Sequence, residues 1–559
     1  MPTFARDQIS LVLKKRVEAL IKGYRHNIGL IGDPGLGKTR LLDNAFREFS
    51  AFEEVICIYV LAESFDAQQL VDRWAGAVLS GALRGVNQAP ESHELTALLA
   101  AATPRVPKTS EAVQRLLRSV RKDRHDVWIR DLFSLTGILA QETGKKVVFM
   151  LDEFQELQKL PISDPFRELG KEIMIEKDTL YLVTSSQPGR ASDIFREKLS
   201  LLFGNFEVIE LRPLNFQEIS DYLAFHFPKT HFSVQQQKFF ISLTNGEPLY
   251  LDLLMDRLKF YVASDQDQWV ADRLIFMAFQ EELLDHKGRI SLLFEKMLDP
   301  ISRSNKENAP YLKTLLAISE GRHRLASIAG FIGRKMIDTK KILSRLMQED
   351  RVRRRGSFYV IEDPLFRFWL REVFTRRNRL YQPVEPKAAE DLMEGLRDVH
   401  EHLGLVSNVP AAVCAERLFK EFRNDVAEID SRKWKCPQFS EVTLKPASQG
   451  RFPSLWMRFQ RNRWVCQVAD DVVREEDVMA FLDEIKRSRT RVKERLLITL
   501  RGIDQNARLM AQNGKIQILG LRDLNVLLEL YDLPKIMILE EETRDGSLVG
   551  TLAQSVHTS

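Results

Sequence analysis

Eight residues near the start of the chain have the types and the spacing that bind phosphate groups. Residues 32–39 read Gly-Asp-Pro-Gly-Leu-Gly-Lys-Thr, which fits the pattern G-x-x-x-x-G-K-[ST] of a P-loop. Glycines let the backbone close around phosphates, Lys38 would reach the β- and γ-phosphates of a nucleotide, and the Thr39 hydroxyl would bind Mg²⁺. The predicted nucleotide-binding residues are Gly32, Asp33, Pro34, Gly35, Leu36, Gly37, Lys38, Thr39 and Arg40.

The neighbouring sequence supplies the elements that such a loop requires. An apolar run at residues 27–31 predicts a short buried strand, and residues 40–46 predict a helix. A strand that leads through a glycine-rich turn into a helix presents backbone N–H groups and the positive end of the helix dipole to an anion. The alternative is a chance glycine-rich turn.

A second motif lies more than a hundred residues further on. The apolar segment 145–151 ends in the carboxylates Asp152 and Glu153. Such a segment predicts a strand of a parallel sheet that is buried on both faces, and ligands of these sheets bind beyond the carboxyl ends of the strands. We therefore expect Asp152 near Thr39 as a ligand of Mg²⁺ through water, and Glu153 as the residue that polarises the attacking water. The alternative is a helix N-cap pair.

A third apolar segment, residues 180–184, runs into the hydroxyl residues Ser185 and Ser186. Either serine is placed to sense the γ-phosphate of a bound nucleotide, and the alternative is an ordinary boundary between a strand and a loop. The predicted catalytic set is therefore Glu153, Lys38, Ser185 and Ser186.

Composition sets the outer bounds. A chain of 559 residues with 44% hydrophobic and 29% charged residues predicts a soluble protein of about three domains. The sequence has no apolar run long enough to span a membrane and no signal-peptide pattern at its start. The four cysteines, which show no C-x-x-C spacing, are typical of reduced thiols and predict a cytoplasmic protein without a zinc site.

Strand and helix patterns predict the architecture that positions these motifs. Residues 1–214 alternate strands and helices, with further strands at 56–60 and 206–211, and predict an α/β core with a doubly wound, mostly parallel sheet. Residues 215–304 are helical throughout and predict a lid beside the nucleotide.

Several local sequences together resemble the archaeal-type P-loop ATPase family, which is close to the AAA+ origin-recognition proteins and the STAND signalling ATPases. Besides the P-loop, these are the segment 4–7 (Phe-Ala-Arg-Asp), the acidic strand end 152–155, the Asn-Gly-Glu-Pro-Leu stretch 245–249 and the segment 359–369. The resemblance implies ATP and Mg²⁺ as cofactors and places Pro248 close to the nucleotide. The family often carries an arginine where this chain has Asn205, so Arg190 or Arg196 would have to supply a finger to a neighbouring subunit, or hydrolysis would be unassisted.

Net charge is concentrated in one stretch. Residues 305–380 carry 18 Lys/Arg and 8 Asp/Glu, a balance of +10 in a chain whose total is only +4. The pattern predicts a winged helix-turn-helix with helices at 311–319, 325–330 and 339–348 and a two-stranded wing turning at Gly356-Ser357. Thr339, Lys340, Lys341 and Arg345 would face outward to double-stranded DNA. The predicted DNA contacts are Lys340, Lys341, Arg345, Arg351, Arg353, Arg354 and Arg355, with protein contacts through solvated arginines as the alternative.

After a predicted linker at 381–386, residues 387–545 resemble the restriction-endonuclease-like domain of many relatives of that family. Active members need an acidic residue and an E-x-K set to hold metal, whereas this chain reads Gln467-Val468-Ala469 at the matching position. Glu416 remains on the first helix, and the alternative is nuclease activity through other carboxylates such as Asp470 or Asp471. We therefore expect an inactive module that binds DNA or a protein partner.

Two functions follow from the sequence. The first is an ATPase that couples its nucleotide state to DNA binding and self-association. The second is a STAND-like signalling or defence switch that recruits protein partners rather than binding DNA directly. Affinity for bare duplex DNA that falls steeply with salt separates the first from the second.

Overall fold

The computed structural model describes most of the chain and divides into two compact units. The first comprises Met1–Leu214 with Glu247–Leu249, and the second Asn215–Gly246 with Tyr250–Ser559. The described residues are 6–63, 66–88, 92–121, 125–162, 164–199, 206–262, 268–285, 287–302, 305–374, 386–406, 409–429, 432–447, 450–488 and 490–537.

A five-stranded parallel sheet forms the centre of the first unit, as far as its residues are described. The strands lie in the order β2-β3-β4-β1-β5, so that β3 and β1, which carry the two sequence motifs, are both neighbours of β4. The strands are β1 (Asn27–Ile31), β2 (Val55–Leu61), β3 (Lys146–Asp152), β4 (Thr179–Ser185) and β5 (Phe206–Glu210). The predicted parallel α/β sheet is confirmed.

Helices cover both faces of this sheet because its strands are apolar on both sides. On one face Val148 and Met150 of β3 pack with Leu41 of the helix after the glycine-rich loop. On the other face Phe149 packs with Trp74 and Phe133. The helices of this unit are α1 (Asp7–Ile21), α2 (Lys38–Phe49), α3 (Ala67–Gly85), α4 (Leu95–Ala102), α5 (Pro107–Arg121), α6 (His125–Thr143), α7 (Pro165–Ile175) and α8 (Pro188–Asp193), with a 3-10 helix at Phe154–Lys159 and a π-helix at Ile194–Lys198.

The second unit begins with helices, as the periodicity from residue 215 onward predicts. Two of them start with a capping box, in which the side chain of Asn215 or Ser233 accepts from the backbone three residues on. These helices are α9 (Phe216–His226), α10 (Val234–Thr244), α11 (Pro248–Val262), which starts in the first unit, α12 (Asp272–Leu284) and α13 (Arg289–Ser302).

Four α-helices and a hairpin follow, which we call the helix–hairpin module (residues 305–374). They are α14 (Asn305–Ser319), α15 (Leu325–Ile332), α16 (Met336–Gln348), β6 (Arg353–Arg355), β7 (Phe358–Val360) and α17 (Pro364–Trp369). Ile342, Leu343 and Leu346 face inward, as predicted. The prediction that Thr339 faces outward is wrong: α16 begins three residues earlier, and the buried Thr339 hydroxyl donates to the carbonyl of Lys335.

The C-terminal part of the second unit contains a mixed sheet. Strands β10, β11 and β12 are antiparallel and β13 and β14 continue parallel to β12, while β8 and β9 form a separate hairpin. The predicted linker at 381–386 lies almost wholly outside the described residues. The elements are α18 (Pro386–Val406), α19 (Ala411–Glu421), β8 (Asp425–Ile429), β9 (Arg432–Cys436), β10 (Glu441–Lys445), β11 (Ser454–Phe459), β12 (Asn462–Ala469), α20 (Glu475–Arg487), β13 (Val492–Thr499), α21 (Gln505–Asn513), β14 (Ile516–Gly520) and α22 (Leu521–Leu530).

Candidate nucleotide-binding site

The glycine-rich loop connects β1 to α2. At two of its positions the backbone has a conformation that only glycine adopts without strain. Gly35 and Gly37 both have φ of +85°. Gly37 is the residue before the first turn of α2, whose free N–H groups and dipole favour an anion. Gly32 is also sterically required, since an added Cβ would lie 2.8 Å from the carbonyl oxygen of Leu211.

Lys38 is held within this loop. Its side chain is buried, and its Nζ donates to the carbonyl oxygens of Gly32 and Asp33 at 2.8 Å each. Burial lowers the pKa of Lys38, and the nearby carboxylates of Glu153 and Asp152 act in the opposite direction. A desolvated ammonium group that is bonded only to carbonyl oxygens gains by exchanging them for phosphate oxygens, which carry full charge.

Asp152, at the carboxyl end of β3, lies beside Thr39, as the sequence predicts. The Thr39 hydroxyl donates to Asp152 Oδ2 at 2.8 Å, and the Tyr59 hydroxyl donates to the same oxygen at 2.9 Å. The Thr184 hydroxyl donates to the other oxygen, Oδ1. Burial and the neighbouring Asp152 raise the pKa of Tyr59, which therefore stays a proton donor. Both oxygens of this almost fully buried carboxylate are thus oriented by hydroxyl groups.

Glu153 follows in a left-handed backbone conformation, with φ of +55°, which is uncommon for a residue other than glycine. Three donors hold its Oε2 atom: the backbone N–H of Ser186 at 3.0 Å, the Ser186 hydroxyl at 2.7 Å and the Gln155 amide at 2.6 Å. The two predicted residues Glu153 and Ser186 are therefore brought together. The turn after β3 aims this carboxylate at the end of β4.

Ser185 has a different environment. Its side chain is fully buried, and its hydroxyl is bonded to the backbone of Gln187, from whose N–H it accepts at 3.1 Å. Its carbonyl oxygen accepts from the N–H of Gly32 at 3.2 Å. Ser185 thus supports the start of the glycine-rich loop through its backbone, while Ser186 carries the side-chain contact to Glu153.

Pro248 is the first residue of α11, and the short segment around it groups with the first unit. The adjacent Glu247 lies against the glycine-rich loop, because a Cβ added to Gly35 would collide with its carboxylate. Glu247 is also among the charges that act on Lys38. The segment Glu247–Leu249 therefore lies at the loop within the first unit.

The remaining predicted residues of this unit are placed as follows. Arg6 is buried and its guanidinium donates to the carbonyl of Arg212 at 2.5 Å, whereas Phe4 lies outside the described residues. Arg190 donates to Gln158 at 3.0 Å, and the exposed Arg196 donates to Asp193 at 2.8 Å. The stretch that contains Asn205 lies outside the described residues. Asp33 and Arg40 are partly exposed, Pro34 and Thr39 are exposed, and Leu36 is buried.

Sequence reasoning missed three residues of this site. Tyr59 and Thr184 orient Asp152, and Gln155 contacts Glu153. Tyr59 and Thr184 share one signal, their position: Tyr59 lies near the carboxyl end of β2 and Thr184 near that of β4, the two strands that flank β3.

The predicted DNA contacts lie in the helix–hairpin module of the second unit. Lys340, Lys341 and Arg345 are exposed on α16, and Arg345 also pairs with Glu349 at 3.1 Å. Arg351 precedes β6 and is only partly exposed, so that burial lowers its pKa. Arg353 and Arg355 both form ion pairs with Glu362, and Arg353 lies 2.6 Å from it. Arg354 points to the opposite face of β6 and is exposed.

The residues at the predicted nuclease position lie on β12. Gln467 is buried, and its Oε1 atom has no hydrogen-bond partner among the described residues. Ala469 is also buried, Glu416 pairs with Lys420 at 2.8 Å, and Asp471 pairs with Arg451 at 3.1 Å. No group of three or more metal-ligating side chains occurs in the part of the chain that the structure describes.

Comparisons with known proteins give distant structural similarity. No protein-family model matches the chain, and no curated protein matches it by sequence. The Walker-type ATPase PABY2304 of Pyrococcus abyssi is 16% identical and has a TM-score of 0.45, covering 66% of this chain and 95% of its own. The Aeropyrum pernix ORC2 protein is 14% identical, with a TM-score of 0.41 over 71% of this chain and 94% of its own.

The Thermotoga maritima RuvB Holliday junction branch migration motor is 13% identical, with a TM-score of 0.32 over 66% of this chain and 96% of its own. Among the described residues, no helix is both long and apolar enough to cross a membrane.

Proposed function

We propose that this protein binds and hydrolyses ATP and couples its nucleotide state to DNA binding and self-association. The observation that carries the ATPase proposal is the convergence of two motifs that are 113 residues apart in sequence, through the bond from Thr39 to Asp152. Together the two motifs form the set that phosphoryl transfer needs.

Each residue of the candidate site has a distinct role in this proposal. The N–H groups of the loop and the Lys38 ammonium bind the phosphates and stabilise the charge that develops on them. Glu153 accepts the proton of the attacking water, and Ser186 and Gln155 position its carboxylate. Pro248 lies beside the nucleotide.

Thr39 and Asp152 fit the requirements of a magnesium site, because both are oxygen ligands and Asp152 is already fixed by Tyr59 and Thr184. When bound, Mg²⁺ would neutralise charge on the β- and γ-phosphates. Ser185 supports the loop.

The DNA-binding part of the proposal rests on the exposed cations of the helix–hairpin module. Lys340, Lys341 and Arg345 lie on the exposed side of α16, opposite the buried Leu343 and Leu346. A helix of this kind enters the major groove of duplex DNA in winged helix-turn-helix proteins. We therefore propose that the module is a winged helix and that double-stranded DNA is the partner, with Arg351, Arg353, Arg354 and Arg355 near phosphates.

The experiment is a titration of a labelled duplex at several salt concentrations, with and without ATP. We expect the affinity for the duplex to be higher with ATP. The logarithm of this affinity should fall linearly with the logarithm of the salt concentration, because phosphate contacts release counterions. A chain that binds no duplex at low salt, even with ATP, would contradict DNA coupling. Sedimentation with and without ATP in the same buffers measures self-association.

A second function, a STAND-like signalling or defence switch that recruits proteins, is favoured by one observation. Phe331, near the end of α15, and Met336 and Ile337, at the start of α16, are 41%, 54% and 70% exposed. Large apolar side chains that form an exposed patch are typical of protein contacts. If Met336→Ser/Ile337→Ser leaves duplex affinity unchanged but removes association with a partner protein, this second function is supported.

The C-terminal sheet is proposed to be an inactive restriction-endonuclease-like module, since glutamine and alanine stand where metal-binding and catalytic side chains are needed. All four cysteines are buried free thiols, which supports a cytoplasmic location.

A further inference from the structure

The turn of the β6–β7 hairpin is fixed against strand β8 of the C-terminal part. The N–H of Ser357 donates to the carbonyl of Val426 at 2.7 Å, and the N–H of Val426 donates to the Ser357 hydroxyl at 3.0 Å. Gly356 has φ of +70°, and an added Cβ would collide with the carbonyl of Val426. The tip of the proposed wing is therefore anchored in the protein and is not a free loop.

An ion pair and a shared core continue this contact. The Arg324 guanidinium donates twice to Asp425, at 2.9 and 2.7 Å, and the Tyr531 hydroxyl donates to the same carboxylate at 3.0 Å. Phe358 of β7 is fully buried in one core cluster with Ala427 of β8. The helix–hairpin module and the β8–β9 hairpin thus present one continuous surface, because their backbones are bonded and their apolar side chains are shared.

The β8–β9 hairpin has one apolar and one charged face. Ala427 and Ile429 point into the core, so the alternate residues Val426 and Glu428 point away from it. In the antiparallel register Lys435 lies opposite Val426 and Lys433 opposite Glu428. Both lysines are exposed, and neither has an acidic partner within ion-pair distance among the described residues.

Arg354 brings a third cation to this face. Its Nε donates to the carbonyl of Gly356 at 2.9 Å, so the guanidinium group lies over the turn that contacts Val426. Residues directly opposite in an antiparallel pair have Cβ atoms about 5 Å apart, which places Lys435 next to that contact. Arg354, Lys435 and Lys433 therefore form a row across the joint, which we call the joint surface, with Glu428 as the one acidic residue among them.

We propose that the joint surface binds the phosphate backbone of double-stranded DNA, so that the C-terminal part shares in DNA binding. This inference rests on the proposed function and deepens it by assigning a site. The cations are flexible and exposed, which suits phosphate contacts that position a protein without reading sequence. Single strands are bound through exposed aromatic rings on which bases stack, whereas the ring of Tyr359, whose centroid lies 5.9 Å from the Arg354 guanidinium carbon, is buried.

The test is duplex affinity of the full chain with the substitutions Lys433→Glu and Lys435→Glu together. We expect at least about a tenfold loss at low salt and a log–log salt slope that is shallower by about 2, one for each lost phosphate contact. Lys229→Glu with Lys493→Glu is the matched control: the same charge change, at exposed lysines of the same unit, on the turn between α9 and α10 and on β13, outside the joint surface. Glu428→Gln should strengthen binding by a few fold, because it removes the acidic residue.

The outcomes separate this inference from the proposed function. If Lys433→Glu/Lys435→Glu binds like the wild type while Lys340→Glu/Lys341→Glu binds weakly, the joint surface is wrong and DNA coupling stands. If the wild type binds no duplex, both are wrong. Equal losses in the test and control variants, or a single strand bound as tightly as the duplex, would also overturn the inference. The milder pair Lys433→Gln/Lys435→Gln, with unchanged circular dichroism, excludes misfolding as the cause.

Discussion

The charged residues of the nucleotide site and those of the joint surface differ in how they are held. Lys38 and Asp152 are 5% and 1% exposed, and hydrogen bonds to specific protein atoms fix the position of each charged group. Lys433 and Lys435 are exposed and are placed only by the register of a hairpin. The first arrangement fixes the positions of the charged atoms, whereas the second concentrates positive charge on a surface.

The two regions should respond differently to salt and to substitution. Exposed charges are screened by salt over about 8–10 Å at physiological ionic strength, whereas buried groups are screened much less. We therefore expect salt to weaken DNA binding strongly and ATP turnover only slightly. Single substitutions should have large effects on ATP turnover in the nucleotide site and small effects on DNA binding at the joint surface.

The largest effect is expected for Glu153→Gln. Glutamine keeps the shape and accepts the Ser186 hydrogen bonds, but it cannot take a proton from water, so turnover should fall by roughly 10²–10⁴-fold. Nucleotide affinity should be unchanged. Phosphate release and equilibrium binding of a fluorescent ATP analogue measure the two quantities, with the exposed Glu53→Gln as the control. Unchanged turnover would remove Glu153 from the catalytic role.

Lys38→Ala is expected to reduce turnover by roughly 10²–10³-fold, since in the proposed function it removes the charge that stabilises the transferred phosphate. Unlike Glu153→Gln, it should also weaken nucleotide binding. The same two assays separate these effects, and Lys15→Ala, at an exposed lysine of α1, is the matched control.

If raising the salt concentration from about 50 to 200 mM reduces wild-type turnover as much as DNA affinity, the contrast between the two regions fails.

The local motifs of the nucleotide site could be predicted from the sequence because each is a short run of residues. The loop 32–39 and the acidic end of β3 carry their own signals, and parallel-sheet geometry brings the two together. Tyr59 and Thr184 could not be found in this way, because their contacts to Asp152 depend on the order and register of β2, β3 and β4. Single hydroxyl residues in apolar strands give no such signal.

The start of α16 shows a second limit. Its N-cap residue Lys335 makes no side-chain capping bond, so the sequence has no start signal, and the predicted helix began three residues late at Thr339. The contact of Gly356 and Ser357 with Val426 could not be predicted either, since Ser357 and Val426 are 69 positions apart and no local pattern connects them.

A smaller effect, on stability, is expected for Glu176→Gln in the first unit. Glu176 is buried, accepts from the Gly137 N–H and the Tyr181 hydroxyl at 2.8 Å each, and burial raises its pKa from 4.5 to about 7. The fold therefore favours the protonated form. Its stabilising contribution is fully present below pH 4.5 and is lost as the pH rises through about 7.

The wild-type first unit should thus be less stable at pH 8 than at pH 5 by up to about 3 kcal/mol from this one group, and Glu176→Gln should lack that change. Amide hydrogen exchange of β4 at both pH values measures it, with the second unit as an internal reference and Glu53→Gln as the control. Equal pH dependence in wild type and Glu176→Gln would show that Glu176 is ionised in the fold.

The smallest effect is expected for Tyr59→Phe, which removes one of the three hydroxyl donors to Asp152. Thr39 and Thr184 still orient the carboxylate, so only one net hydrogen bond, about 1 kcal/mol, is lost. The Mg²⁺ concentration for half-maximal turnover should rise roughly three- to tenfold, with unchanged turnover at saturation, because the partner orients the ligand and touches no substrate. Tyr24→Phe, at an exposed tyrosine of the same unit, should change neither quantity. A fall in saturated turnover would instead place Tyr59 among the residues that act on the reacting groups, and the nucleotide site would then extend onto β2.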